Sequence, residues 1–154
     1  MPVCRCQTPR IEMPRLFRVM LPVSDIEGAA SFYAQLLGTE GTRVSTGRHY
    51  FDCGGTIVAC YDAFADGDPE RVGPNPQPVY FSVDDLDAAH TRAEHAECRE
   101  LTSIEIRPWG ERSFYARDPF DNPICFVDSQ TLFTAESSWE GMHTRSELRP
   151  GQAR

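Results

Sequence analysis

The chain has 154 residues, and its 15 lysines and arginines against 23 aspartates and glutamates give a net charge of −8. This acidic balance argues against nucleic acid or an anionic membrane surface as the main partner. No apolar run approaches the ~20 residues that span a bilayer, and the first residues lack the apolar core of a signal peptide. The six cysteines form no CxxC pair. We therefore expect a cytoplasmic protein with reduced thiols.

The segment from Leu16 to Gly38 predicts a strand followed by an amphipathic helix. Every second residue from Phe17 to Val23 is apolar, which is typical of a half-buried strand. Asp25 is a suitable N-cap for the helix, and Gly38 is a suitable residue just after its end. The helix should turn one apolar stripe toward the core, formed by Ile26, Ala29, Ala30, Tyr33, Leu36 and Leu37.

The chain then becomes rich in β-forming residues and reaches one clear internal boundary. Three short strands are predicted over residues 43–46, 48–53 and 56–62, and the Gly54-Gly55 pair indicates a hairpin. A stretch rich in proline and charge follows. The predicted organisation is an N-terminal arm, a first module, a linker, a second module and a C-terminal tail, at residues 1–15, 16–64, 65–77, 78–130 and 131–154.

The second half of the chain repeats the pattern of the first. Val79 to Val83 alternates like the first strand, and Asp85 caps a second helix with a thinner apolar stripe. Further strand-like runs lie at residues 98–106, 112–116 and 123–127. The opening segments align at an offset of 60 residues and the closing strands at an offset of 66. Two tandem βαβββ modules are the economical interpretation.

A series of short motifs runs through both modules. In order they are Val23-Ser24-Asp25-Ile26, Phe32-Tyr33, Leu37-Gly38, Gly54-Gly55, Val83-Asp84-Asp85-Leu86, Pro108-Trp109-Gly110-Glu111-Arg112 and Asp118-Pro119 through Ile124. Their order and spacing resemble the vicinal oxygen chelate superfamily, which contains the glyoxalases, the extradiol dioxygenases and the bleomycin-resistance proteins. The resemblance implies an α+β fold whose modules form a curled, barrel-like mixed sheet with the helices outside and a cavity inside. It also implies a homodimer.

Metal-dependent members of that superfamily take ligands from the first and last strand of each module. The matching positions here are Arg18, Ala59, Pro78 and Cys125. Arginine has no lone pair to give, alanine and proline side chains carry no donor atom, and Cys125 alone makes no site. The histidines do not compensate, because His90 and His95 lie on the second helix and His49 stands alone on a strand. We therefore predict no metal and no other cofactor.

A small-ligand cavity is expected to be largely apolar with a few placed polar groups. The side chains predicted to bind the ligand are Arg18, Met20, Phe51, Tyr61, Tyr80 and Trp109. Trp109 has two possible roles, because it can plug the barrel end or a dimer interface, or it can stack on a flat or cationic ligand. The Arg18 cation needs either a structural carboxylate partner or an anionic group of the ligand.

The leading hypothesis is a metal-independent protein that binds a small-molecule ligand in an aromatic cavity, as the resemblance to the bleomycin-resistance type implies. The alternative is a lyase, isomerase or dioxygenase of the same superfamily with a metal-free or non-standard site. A third hypothesis is a regulatory or ligand-sensing partner protein. None of the common nucleophile, phosphate-binding or dinucleotide-binding motifs is present to name a catalytic residue.

Overall fold

The computed structural model describes residues 12–133. Most of the predicted arm and tail therefore lies outside the described residues, including Cys4, Cys6 and Trp139. The first module contains β1 (Arg18–Pro22), α1 (Ile26–Leu37), β2 (Thr42–Ser45), β3 (Arg48–Cys53) and β4 (Thr56–Tyr61). The second contains β5 (Val79–Val83), α2 (Leu86–His95), β6 (Glu105–Ile106), β7 (Arg112–Arg117) and β8 (Pro123–Asp128), followed by a single 3-10 turn (Ser129–Thr131).

Each module builds its own four-stranded mixed sheet, in the orders β1-β4-β3-β2 and β5-β8-β7-β6. The first strand of each module runs parallel to the last, and the other neighbours are antiparallel. The registers are equivalent, because Met20 lies beside Ala59 in one sheet and Tyr80 beside Cys125 in the other. The predicted α+β fold of two βαβββ modules is confirmed. The two sheets stay separate and do not close into one barrel.

Both helices begin at the predicted aspartates. The Asp25 side chain accepts a hydrogen bond from the Gly28 amide at 3.2 Å, and Asp85 does the same for Ala88 at 2.9 Å. Helix α1 ends at Gly38, whose φ of 72° is the left-handed conformation that glycine adopts without strain. The buried side of α1 includes Phe32 in addition to most of the predicted stripe.

Strand β6 is much shorter than the run predicted over residues 98–106. Glu100 has a φ of 48°, which no extended strand adopts, so the backbone leaves the ladder there. An isolated bridge between Arg99 and Arg117 and the hydrogen bond from the Thr102 amide to the Tyr115 carbonyl (2.9 Å) hold the segment beside β7. Only Glu105 and Ile106 pair regularly.

One face of each sheet packs on its helix and forms the core, and the opposite face is called the open face below. Phe126 stacks between Phe81 and Phe114, with ring centroids 5.1 and 5.2 Å apart, in the centre of the second module. The cores of the two modules are continuous, since both helices and both sheets contribute to one buried cluster. Among residues 12–133, no helix is long and apolar enough to cross a membrane.

A buried carboxylate joins the two modules. Asp118 is fully buried and accepts hydrogen bonds from the Tyr33 hydroxyl on α1 (2.6 Å) and from the Asn122 amide and side chain (2.9 and 2.8 Å). Asn122 also donates to the Pro22 carbonyl at the end of β1 (2.7 Å). Burial, reinforced by the adjacent Asp118 carboxylate, raises the pKa of Tyr33 well above 10.0, so its hydroxyl remains a donor. We call these three side chains the Asp118 bridge.

The linker strengthens this connection at the same edge of β1. The Asn75 side chain donates to the Met20 carbonyl at 2.9 Å, and its amide donates to the Asn122 side chain at 2.9 Å. The carbonyls of Met20 and Pro22 belong to the edge of β1 that has no neighbouring strand. The linker and the Asp118–Asn122 turn thus cap an exposed strand edge, which protects it from pairing with other chains.

Candidate functional site

The open face of the first sheet carries two arginines stacked on aromatic rings. The Arg18 guanidinium lies 4.9 Å from the centroid of the Tyr50 ring and 5.0 Å from that of Phe17. Arg48 lies 4.6 Å from the centroid of Tyr61. Cation–π contacts of this kind hold a charged group over a ring without a carboxylate partner.

Within residues 12–133, only one of these arginines has a structural counter-ion. Arg48 Nε lies 3.0 Å from Asp66, which also accepts from the Ser45 hydroxyl (2.6 Å) and the Gly47 amide (2.8 Å). These hydrogen bonds, helped by the Arg48 cation, lower the pKa of Asp66 and keep it ionised. Within the described residues Arg18 has no carboxylate in ion-pair distance, so the structural carboxylate considered for Arg18 is not found there.

The open face of the second sheet holds a more polar network. The Arg107 guanidinium lies over the Tyr115 ring at 4.8 Å, donates to the Ser113 hydroxyl at 2.9 Å and pairs with Glu105 at 3.0 Å. Tyr80 meets Tyr115 edge-on at 6.4 Å between centroids. The open face of the second sheet therefore carries a guanidinium, hydroxyl groups and aromatic rings near Cys125.

The Tyr115 hydroxyl and the Cys125 thiol of this network stay protonated near neutral pH. A hydrogen bond with Tyr80, together with desolvation, raises the pKa of Tyr115. Burial raises the pKa of the Cys125 thiol from 9.0 to about 11. Neither group is therefore a base or a thiolate nucleophile at pH 7.

A pocket of about 520 Å³ opens on the same sheet. Trp109 forms part of its wall, is half exposed and donates from Nε1 to the Glu111 carboxylate at 2.9 Å. The second Glu111 oxygen accepts from the Phe133 amide at 3.2 Å. This pocket, called the Trp109 pocket below, is lined by Tyr80, Phe81, Ser82, Trp109, Glu111, Val127, Leu132 and Phe133.

The predicted ligand-binding residues fall into three groups. Tyr80 and Trp109 lie together in the Trp109 pocket. Arg18, Met20 and Tyr61 share the open face of the first sheet, which follows from their alternation and register in β1 and β4. The sixth residue, Phe51, lies elsewhere.

Phe51 points to the other side of the first sheet. It is fully buried in the core, where its ring lies 6.2 Å from Tyr33 and 5.0 Å from His49 between centroids. Because successive side chains of a strand alternate, its neighbour Tyr50 occupies the open face instead. The sequence-based placement of Phe51 in the cavity is therefore corrected, and His49 is likewise on the core side.

Sequence reasoning missed several polar residues of the second open face. Glu111 was named only as part of the Pro108–Arg112 motif, and Arg107, Ser113 and Tyr115 were not singled out. The alternation of Ser113, Tyr115 and Arg117 in β7 was an available signal, since it places all three on the side away from Phe114.

The family model of the glyoxalase/bleomycin resistance protein/dioxygenase superfamily matches residues 15–126. The chain belongs to this superfamily. Comparison with curated protein sequences finds no match. The match covers both modules and ends within β8, so membership rests on the whole fold and not on one motif.

Solved structures of this superfamily share the fold. The lactoylglutathione lyase of Agrobacterium tumefaciens is 23% identical with a TM-score of 0.58, over 80% of this chain and 97% of that one. A glyoxalase-related enzyme from Fulvimarina pelagi is 16% identical with a TM-score of 0.64, over 80% and 94%. A glyoxalase/bleomycin resistance protein from Albidiferax ferrireducens T118 is 21% identical with a TM-score of 0.61, over 72% and 95%. At these identities the likeness shows the fold alone.

The superfamily's metal positions do not fit a metal ion in this chain. Arg18 places a guanidinium between two rings, where its charge repels a divalent cation. Ala59 has no donor atom, and Cys125 alone makes no metal site. Among residues 12–133, no three histidine, cysteine, aspartate or glutamate side chains are grouped to hold a metal.

Proposed function

We propose that this protein is a metal-independent, cytoplasmic member of the superfamily that binds a small organic molecule with a flat aromatic part. The observation that supports this most strongly is the Trp109 pocket, whose volume of about 520 Å³ lies within the range of small-molecule sites. Its walls are mainly apolar, and Glu111 is the one charged side chain among the lining residues that the structure describes. An aromatic wall beside a carboxylate suits a ligand that stacks and carries a positive charge.

Trp109 is oriented for stacking by Glu111. The hydrogen bond from the indole Nε1 leaves the faces of the ring free, and half of the side chain is exposed. Because Glu111 also binds the Phe133 amide, the wall formed by Leu132 and Phe133 is tied to the same carboxylate. One side chain thus positions both sides of the pocket.

A second copy of the chain is proposed to cover the open faces. Support comes from exposed apolar and cation–π groups in both modules, namely Phe17, Arg18, Tyr80 and Trp109. Sedimentation equilibrium should give a mass of about twice the 17.3 kDa of one chain. A monomer at tens of micromolar protein would contradict the proposed homodimer and leave the Trp109 pocket as a single-chain site.

Replacing Trp109 by alanine should weaken binding of proflavine, a flat cationic probe. Loss of a stacking wall at the centre of a site costs about 2 kcal/mol, which is roughly 30-fold in Kd. Isothermal titration calorimetry at fixed ionic strength measures the change. Phe64→Ala, which removes an exposed ring outside the pocket, should leave the Kd unchanged.

Two results would contradict the proposal. One is equal loss of proflavine binding in Trp109→Ala and Phe64→Ala, which would indicate nonspecific adsorption. The other is stoichiometric zinc, nickel, manganese or iron in protein purified without chelator, which would favour the enzyme hypothesis. Glu111→Gln distinguishes charge from shape, since it keeps the volume and should weaken proflavine but not a neutral flat probe such as 2-naphthol.

A further inference from the structure

The two modules are joined asymmetrically. The registers make Cys53 and Thr56 the counterparts of Asp118 and Asn122, because each pair closes the hairpin before the last strand. The helices align at an offset of 60 residues, so Ala93 is the counterpart of Tyr33. The boundary between the two modules is called the joint below. On the side of the joint opposite the Asp118 bridge, the large hydrogen-bonded side chains are thus replaced by three small ones, Cys53, Thr56 and Ala93.

A cavity of about 510 Å³ occupies that side. Its walls come from β1, the end of α1 and the β3–β4 hairpin of one module, and from β5, α2 and β8 of the other. We call it the inter-module pocket. The apolar side chains lining it are Leu16, Val19, Leu36, Leu37, Val58, Val79, Phe81, Val83 and Phe126.

The free edge of β5 borders this pocket without a cap. On the opposite side of the joint, Asn75 and Asn122 bind the Met20 and Pro22 carbonyls at the edge of β1. In the second module, Tyr80 and Ser82 are the counterparts of Met20 and Pro22, and both line the inter-module pocket. Within residues 12–133 no side chain or loop donates to their carbonyls. Among residues 12–133, the pocket therefore lacks the protein groups that fill the equivalent space on the opposite side.

Among the described residues that line the pocket there is one cation, Arg92, and one carboxylate, Asp52. Arg92 on α2 is half-buried and donates from Nε to the Leu36 carbonyl at 3.2 Å, which fixes its guanidinium at the end of α1. No aspartate or glutamate of the described chain lies within ion-pair distance of Arg92. A half-buried guanidinium with unused donors beside an apolar wall is stabilised by an anion that reaches it.

We propose that the inter-module pocket binds an apolar carboxylic acid, with the carboxylate on Arg92 and the hydrocarbon part against the apolar wall. The volume is suitable for a small organic ligand, and burial of each methylene group contributes about 0.8 kcal/mol. The positive charge of Arg92 disfavours an amine beside it, and the Asp52 carboxylate at the hairpin is held by the Gly55 amide at 2.8 Å. This site adjoins the Trp109 pocket, since Tyr80, Phe81 and Ser82 line both. Its argument rests on Arg92 and the apolar wall between the modules and does not depend on the function proposed for the Trp109 pocket.

Isothermal titration calorimetry with decanoate, below its micelle concentration, tests the proposal on the full chain. We expect saturable binding of decanoate and weaker binding of decylamine. Arg92→Met, which keeps an unbranched side chain, should weaken decanoate about tenfold, because one charge-assisted contact is lost. Arg71→Met is the matched control, since Arg71 lies over the exposed Phe64 ring away from the pocket.

A second variant and a labelling experiment locate the site without relying on Arg92. Leu37→Trp adds volume at a half-buried position of the wall and should abolish decanoate binding while leaving proflavine binding intact. Cys53 also lines the pocket and is half-buried, with a pKa raised by burial. Its alkylation by iodoacetamide at pH 8.5, followed by mass spectrometry, should slow several-fold with saturating decanoate.

Three outcomes would overturn the proposal. The first is no saturable decanoate binding. The second is binding that both Arg92→Met and Leu37→Trp leave unchanged, with Cys53 alkylated at the same rate, which would place decanoate elsewhere. The third is a change of oligomeric state in Leu37→Trp without any change in decanoate affinity, since a second copy of the chain would then occupy this surface.

Discussion

Asp118→Ala should lower the free energy of unfolding by about 3 kcal/mol, because the Tyr33 hydroxyl and the Asn122 amides would lose a charged acceptor in a buried position. Asp118 is fully buried, and Tyr33 and Asn122 are too, so water cannot easily replace it. The two modules would lose the hydrogen bond between Tyr33 and Asp118, while the bond from Asn122 to the Pro22 carbonyl would remain possible. Urea unfolding followed by circular dichroism measures the change, provided that the m-value stays constant.

Two substitutions control for this effect. Asp121→Asn lies in the same turn and removes only the exposed ion pair with Arg99, so less than about 1 kcal/mol should be lost. Asparagine also tolerates the φ of 68° at that position. Tyr33→Phe removes a single donor and should give an intermediate loss. An Asp118→Ala protein no less stable than Asp121→Asn would show that the bridge contributes nothing to stability.

Phe126→Ala should cost about 4 kcal/mol of unfolding free energy, the typical loss for deleting a buried aromatic side chain. Phe126 is 1% exposed and its ring is stacked on both sides, so the neighbouring rings cannot close the gap without leaving their own contacts. The measurement is again denaturant unfolding, with far-ultraviolet circular dichroism to confirm that the native content of strand and helix is kept.

Phe64→Ala is the control for that experiment. Phe64 is 65% exposed and contacts the Arg71 guanidinium at 5.1 Å from the ring centroid. Its removal should change stability by less than about 0.5 kcal/mol, as for most surface substitutions. A Phe126→Ala loss no larger than this would mean that the core relaxes around the missing ring, contrary to the close packing described here.

The sequence predicted the parts of the fold that local patterns encode. The caps at Asp25 and Asp85 and the strand alternation around Leu21 and Phe81 are short-range signals, and the repeat of these signals indicated two modules. The prediction of one long strand over residues 98–106 was wrong, because the backbone of Glu100 adopts a positive φ. The pattern of apolar residues does not indicate this conformation. Propensity and alternation carry no information on such a turn.

The site was less accessible to sequence reasoning because it depends on contacts between distant segments. Tyr80 and Trp109 were predicted in a common cavity and do line one pocket, but Phe51 was assigned to the wrong face. The neighbours Tyr50 and Phe51 are both aromatic, so alternation alone gives no reason to prefer one for the core. The inter-module pocket was not predicted at all, since it arises from small residues facing each other across the joint.

The separation along the chain of the groups in the Asp118 bridge has a kinetic consequence. Tyr33 and Asp118 are 85 residues apart, and Pro22 and Asn122 are 100 apart, so each hydrogen bond closes a very long loop. The entropic cost of closing these loops falls on the step in which the two modules dock. Strand pairing within each module does not depend on this loop closure. The joint therefore forms late in folding, and its loss should speed opening of the native state more than it slows folding.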